Sequence, residues 1–236
     1  MPLYNEDCLK VMADFRDDFF DLVVTDCPYH IVSGGCTNDA VKIGRSRNEF
    51  DELKYTKDGK LFKHNEIKSS EWLPEVYRVL KPDSHCYIMI NPRNLKDLQI
   101  EAEKAGFIFQ NLIVWDKGNI LPNKYYLNSY ELILMLRKGK AKNINNKGTK
   151  NILRVPNIIR NKQHPTEKPV ELMQILIENS SEPYDYVFDP FMGVGGVGVA
   201  CMRSDRLFYG IEIDKKYFDV AESRIKQELV NHIENL

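Results

Sequence analysis

Tyr186-Val187-Phe188-Asp189-Pro190-Phe191-Met192-Gly193-Val194-Gly195-Gly196-Val197-Gly198-Val199-Ala200 is the stretch on which the fold turns. Tyr186 to Phe188 reads as a short strand, the glycines as a tight turn, and the small apolar residues beyond as the start of a helix. Gly193, Gly195 and Gly198 fit G-x-G-x-x-G, which lets the backbone approach a ligand closely at a strand tip. A second strand follows, Phe208-Tyr209-Gly210-Ile211-Glu212-Ile213, with Glu212 at its C-terminal end. A carboxylate there can accept hydrogen bonds from both ribose hydroxyls. Glycine pattern, preceding strand and spaced Glu212 together point to a nucleoside-containing cofactor, although glycines do not say which one.

Outward from this stretch, apolar runs rich in β-branched residues give seven strand candidates: 3–5, 21–25, 86–90, 111–115, 131–136, 186–188 and 207–213. Helical periodicity lies between several of them. It covers 70–80 (stopped by Pro82), 94–105 (ended by Gly106), 169–179 (Pro169 in the first turn) and 214 to about 233. Alternation of this kind predicts an α/β fold, a mostly parallel sheet with helices on both faces. The run 131–136 follows another strand with no helix between, so one antiparallel strand is expected.

The chain has 236 residues, 43% hydrophobic and 28% charged, which fits one domain without staples. Its longest apolar run, Leu132 to Leu136, is far too short for a bilayer span, and the first residues lack the pattern of a signal peptide. Five cysteines without a C-x-x-C pair make a disulfide framework or zinc knuckle unexpected. The expectation is therefore a cytoplasmic protein with no membrane and no metal. Net charge is −1, but its distribution is uneven. Arg137, Lys138, Lys140, Lys142, Lys147, Lys150, Arg154, Arg160 and Lys162 fall in a segment with no acidic residue. Such a segment is either a phosphate-binding surface or a solvated basic loop. Two inserts are expected, at about 31–68 and 137–163.

Near the other end, Phe20 to Thr25 reads as a buried strand capped by Asp26-Cys27-Pro28-Tyr29. Pro28 restricts Cys27 to extended backbone, which turns its carbonyl outward. An acceptor carboxylate, a fixed carbonyl and an aromatic face then stand together. An exocyclic amino group of a nucleic-acid base needs such a site, because its lone pair is delocalised into the ring. Asp26 and the Cys27 carbonyl can each accept one amino N–H, and Tyr29 can stack on the extruded base. Alone, the tetrapeptide reads more readily as a strand-end turn with a capping Asp.

Here a resemblance enters. Asp26-Cys27-Pro28-Tyr29 resembles the D/S/N-P-P-Y/F/W motif of S-adenosylmethionine-dependent DNA amino-methyltransferases. Asp189-Pro190-Phe191-Met192-Gly193-Val194-Gly195 is similar to their D-P-F-x-G-S/T-G cofactor loop, and His164-Pro165-Thr166-Glu167-Lys168-Pro169 to their H-P-T-x-K-P motif. Asn5-Glu6-Asp7-Cys8 matches their G-D-C start. The order, catalytic motif first and cofactor loop last, is that of the circularly permuted β group. Cys27 stands where the family has a first Pro, and Gly196-Val197 where it has Thr-Thr.

The resemblance implies a Rossmann-like seven-stranded methyltransferase sheet with S-adenosyl-L-methionine as cofactor and DNA as substrate. It implies that Asp26, Cys27, Pro28 and Tyr29 hold the target amino group. Asp189, Phe191, Gly193 and Gly195 would line the cofactor, Glu212 would bind ribose, and Asp7 would reach the adenosine end. Thr166 and Lys168 would approach the methionine carboxylate. Lys138, Lys140, Lys142, Lys147, Lys150, Arg154 and Arg160 are the candidate DNA contacts. An Asp in the tetrad leans to N6-adenine, with N4-cytosine as the close alternative, and relatives of this group often form homodimers. A nicotinamide oxidoreductase on the same glycine loop and a catalytically inactive DNA-binding protein are the competing readings. Trp72, Trp115, Phe107 and Phe109 are expected in the core, whereas Tyr125, Tyr126 and Tyr130 with Lys117 and Lys124 form a basic-aromatic cluster. Everything depends on Asp26 and the glycine turn meeting at neighbouring strand tips.

Overall fold

The run from Phe20 to Thr25 forms strand β2 (Phe20–Thr25), an inner strand of the sheet in the computed structural model, which describes residues 1–28, 67–121, 126–158 and 167–234. Leu22 and Val24 enter one apolar core, Phe20 and Val23 the other. A strand buried on both faces reads as continuously apolar, as this one does, and needs helices on each side.

The remaining strands are β1 (Leu3–Tyr4), β3 (Leu80–Ile90), β4 (Ile108–Leu121), β5 (Asn128–Lys138), β6 (Ile152–Arg154), β7 (Tyr186–Asp189) and β8 (Leu207–Ile211). The helices are α1 (Cys8–Ala13), α2 (Ser69–Val79), α3 (Leu95–Lys104), α4 (Val170–Ser180), α5 (Gly196–Arg203) and α6 (Lys215–Glu234). Strand order across the sheet is β1-β8-β7-β2-β3-β5-β4-β6. Pairing is parallel except on both sides of β5, the antiparallel strand expected from the missing helix before it. Residues of α4, α5 and α6 fill the core on one face, and those of α1, α2 and α3 fill the other.

Three features depart from the sequence reading. The sheet gains an eighth strand, β6, which pairs parallel with β4 inside the basic segment. The short helix α1 was not expected; Asp7 caps it by accepting from the backbone N–H of Leu9 and Lys10. Pro82 does not stop α2, which already ends at Val79. It sits in β3 at a register break against β2, beside Asp83 in a left-handed conformation at φ 58°. A bulge tolerates a proline in a strand because no ladder hydrogen bond is required there. Trp72, Trp115 and Phe107 are buried as expected, whereas Phe109 is 42% exposed on β4.

Gly198 is explained by packing alone. A Cβ there would lie 2.8 Å from the Phe208 ring and would also meet Ile225 of α6. Gly198→Val should therefore overpack the α5–β8–α6 contact at a cost of roughly 1–3 kcal/mol. That corresponds to a fall in Tm of about 2–4 °C per kcal/mol in a chain of this size. A thermal melt unchanged from the parent would contradict the packing.

Candidate active site

Parallel pairing of β2 with β7 (Leu22 opposite Val187, Val23 opposite Phe188) brings two tips together. They are joined by a buried hydrogen bond: Thr25 Oγ1 donates to Asp189 Oδ1 at 2.6 Å. One residue beyond Thr25 is Asp26; one beyond Asp189 the chain enters the glycine turn. The spatial requirement set by the sequence is thus met.

In that turn Gly193 has φ 52° and Gly195 φ 79°, left-handed values that favour glycine. The two glycines face different ways. A Cβ on Gly193 would meet nothing within 4 Å, so this backbone borders open space. A Cβ on Gly195 would lie 3.0 Å from Ala221 and Ile225, so Gly195 is held against α6 and begins α5. Phe191 is half-buried, edge-on to Trp72 of α2 with ring centroids 5.2 Å apart. Glu212 stands just past β8. One of its oxygens accepts from Gly193 N–H at 3.0 Å and the other from Asp214 N–H at 2.8 Å. Asn5 donates to the Glu212 carbonyl at 2.8 Å, which brings the segment after β1, including Asp7, to the same edge.

Asp26 is the electrostatic centre. Its Oδ2 accepts from the Lys168 ammonium at 2.6 Å, while its Oδ1 is buried without a hydrogen-bond partner among the described residues. Burial pushes the Asp26 carboxyl above the ordinary carboxylate range, and Lys168 opposes that rise. Lys168, expected near the methionine carboxylate, directs a 6% exposed ammonium at Asp26, with Glu131 Oε2 3.5 Å away. Glu131 in turn accepts from Lys117 at 3.0 Å. Burial pushes Glu131 up, but Lys168 and Lys117 together hold it below its usual value.

Neither Glu131 nor Lys117 was singled out for this role. Lys117, expected in a basic-aromatic cluster, is 7% exposed. The available signal was strand register: Trp115 faces Glu131 across β4 and β5, so Lys117, two residues on, is the diagonal neighbour of Glu131. Arg224 of α6 was missed too. It pairs with Glu167 at 2.8 Å and donates to the Val194 carbonyl at 2.8 Å, fastening the segment before α4 to the glycine turn.

Cys27 is 3% exposed, and burial drives its thiol well above the ordinary value, which is the opposite of an activated nucleophile. Tyr29, Thr166 and Arg160 lie outside the described residues, as does the expected insert as far as residue 66. The basic segment is split. Lys138 is committed inside the fold: its ammonium bonds Asp18 at 2.7 Å and the carbonyls of Tyr77 and Leu80, so it is corrected from a DNA contact to an anchor. Lys140 bonds Asp83 through its backbone, and Asn145 and Asn146 bond the C-terminal end of α4. Lys140, Lys142 and Lys147 thus lie toward the edge of the sheet opposite Asp26. Arg154, at the far end of β6, is 85% exposed beside Asp116 on the Asp26 side.

Comparison with known proteins agrees with this geometry. The profile of a family described as DNA methylase matches residues 20–223. Type II methyltransferase M2.DpnII of Streptococcus pneumoniae is 27% identical, over 97% of this chain and 90% of its own length. The solved structure of an M1.HpyAVI–SAM complex is similar with a TM-score of 0.69 and 27% identity, over 94% of this chain and 98% of that one. The cytosine-N4-specific PvuII DNA methyltransferase gives 0.68 at 16% identity, covering 99% of this chain and 93% of that one, a likeness of fold alone.

Asp189 supplies a pH test of the junction. It is 2% exposed, and burial raises its carboxyl to about 7, against hydrogen bonds from Thr25 and Phe191 that lower it. A raised native value means the native state binds the proton more tightly. Stability from this group is full below about pH 4 and is lost as pH rises toward 7. Asp189→Asn should remove that fall, worth at most about 4 kcal/mol. Unfolding midpoints for both proteins between pH 4 and 8 should converge at low pH and diverge, with the variant more stable, toward neutrality. Parallel curves would contradict the assignment.

Proposed function

Because the chain belongs to the DNA methylase family, we propose that it transfers a methyl group from S-adenosylmethionine to the N6 amino group of adenine in DNA. The single observation that carries this reading is the Thr25–Asp189 junction, which sets Asp26, with its unpartnered Oδ1, beside the glycine turn. Family membership removes the nicotinamide oxidoreductase reading.

The residues present fit the cofactor. Gly193 offers bare backbone to open space, and Glu212 stands against it with acceptor capacity for ribose hydroxyls. Asp7 stands on the same edge for the adenosine end, and Phe191 supplies an aromatic face. When bound, the cofactor supplies an electrophilic methyl group on a sulfonium. The chain does the rest. Oδ1 of Asp26 accepts an amino N–H of a base turned out of the duplex, which favours a pyramidal nitrogen and a localised lone pair. Lys168 favours the ionised form of Asp26 against burial, and a protonated carboxyl would lose acceptor strength at the atom required. Asp26 also stands ready for the proton that the methylated nitrogen must release. Holding both reactants at one edge removes up to roughly 7–11 kcal/mol of association entropy from the barrier.

For DNA contact, Arg154 is favoured over Lys140, Lys142 and Lys147, because it lies exposed on the Asp26 side of the sheet. The acidic tetrad member supports adenine over cytosine.

Asp26→Ala should abolish methyl transfer while S-adenosylmethionine still raises the melting temperature. Nucleoside mass spectrometry of DNA treated with the parent protein should show N6-methyladenine. N4-methylcytosine instead would replace the proposed base, and an active Asp26→Ala would sink the mechanism. Neutralising Arg154 should reduce the slope of log affinity against log salt by about one, and neutralising Lys140, Lys142 and Lys147 together should leave it nearly unchanged. The reverse result would move the DNA face to the other edge.

A further inference from the structure

Four charged side chains from four elements alternate in sign at the catalytic edge: Asp26 after β2, Lys168 before α4, Glu131 on β5 and Lys117 on β4. Lys168 Nζ lies 2.6 Å from Asp26 and 3.5 Å from Glu131, and Lys117 Nζ lies 3.0 Å from the other oxygen of Glu131. The lysine side chains are 6% and 8% exposed, so solvent screens these pairs little. Two carboxylates compete for one buried ammonium, and the division depends on how well each is satisfied elsewhere. Lys117 satisfies Glu131 and so weakens its claim on Lys168. Register alone would hold β4 to β5, which pair from Ile108 opposite Arg137 to Asp116 opposite Tyr130. Buried ion pairs are also poor devices for stability.

We propose that Glu131 and Lys117 are positioning residues for methyl transfer: together they set how much of the Lys168 charge reaches Asp26, and hence how strongly Asp26 Oδ1 grips the amino group of the target base. This inference rests on the role given to Asp26 above. The charged groups facing Asp26 among the described residues are Lys168 from the segment before α4, Glu131 from β5 and Asp189 from β7. Glu131 raises the Asp26 carboxyl and Lys168 lowers it. The two positioning residues must therefore act in opposite directions, which a purely structural role would not produce.

The experiment measures single-turnover methylation against pH, with saturating DNA and cofactor, in the parent, Glu131→Gln, Lys117→Met and the double variant. In parallel, ¹³C NMR follows the Asp26 carboxyl through its titration in the cofactor-free protein, assigned by its absence in Asp26→Asn. Glu131→Gln should move the acid limb and the NMR titration down by roughly one pH unit, and Lys117→Met should move both up by a similar amount. In the Glu131→Gln background, Lys117→Met should change little, because Lys117 acts through Glu131. Lys117→Arg should restore the parent profile. Shifts of both single variants in one direction, or none in either, would overturn the proposal. Should Glu131→Gln fail to fold, Lys117→Met against Lys117→Arg decides alone, and no upward shift overturns it. A parent protein that methylates no DNA would refute the proposed function, yet the NMR titrations would still judge the charge coupling.

Discussion

One buried hydrogen bond organises the functional half of this molecule. Thr25 and Asp189 are 164 positions apart in the chain, yet the parallel pairing of β2 with β7 sets their side chains 2.6 Å apart at the sheet edge. From there the two chemistries diverge by single residues, to Asp26 on one side and to the glycine turn on the other. The surroundings reinforce the junction. Glu212 ties Gly193 to the tip of β8, Arg224 ties Val194 to the segment carrying Lys168, and Asp21 at the other end of β2 accepts from Tyr186 N–H at 2.9 Å. Asp26 and the glycine turn are thereby held at strand tips, which keeps their separation fixed.

Local signals carried the fold well. Phe20 to Thr25 and Tyr186 to Phe188 were legible as buried strands because their residues are apolar throughout. Helix α4 was legible because Pro169 precedes a clean apolar stripe. What escaped was short or non-local. Helix α1 has six residues and β6 has three, too few for either period to declare itself. Pro82 looked like a helix stop because a bulge depends on the partner strand, which a single segment does not reveal. At the site, Asp26 and Glu212 were readable from position at strand ends. The destination of Lys168 was not, since a buried ammonium chooses among carboxylates supplied by distant strands. Glu131 and Lys117 became meaningful only once β4 and β5 were in register.

The catalytic edge concentrates what a folding protein otherwise avoids. A buried acceptor without a partner costs about 1–3 kcal/mol, and ionised groups out of water cost more unless paired. Asp26 carries both burdens: Oδ2 is neutralised by Lys168 while Oδ1 stays open among the described residues. Elsewhere in the core, side-chain polar groups are put to structural use. Ser180 bridges His85 and Tyr87, and the Trp115 indole donates to the Val155 carbonyl. Trp72 Nε1, His85 Nε2 and Arg137 Nε are also buried without a partner among the described residues, but Asp26 Oδ1 is the one carboxylate oxygen of the four, and it stands beside the glycine turn, where a ligand group can complete it.

Net charge says little about how such a protein meets a polyanion; placement decides. The basic segment looks uniform as a string, but the fold distributes it from one edge of the sheet to the other. Lys138 is drawn inward because the carbonyls of Tyr77 and Leu80, near the end of α2, and the Asp18 carboxylate require a cation there. Lys140 to Lys147 follow the loop pinned to Asp83 and α4, away from Asp26. Pairing of β6 with β4 returns one positive charge of the segment, Arg154, to the edge that carries Asp26. A three-residue strand, too short for its period to show in the sequence, therefore sets Arg154 on the Asp26 side, whereas Lys140 is pinned toward the opposite edge.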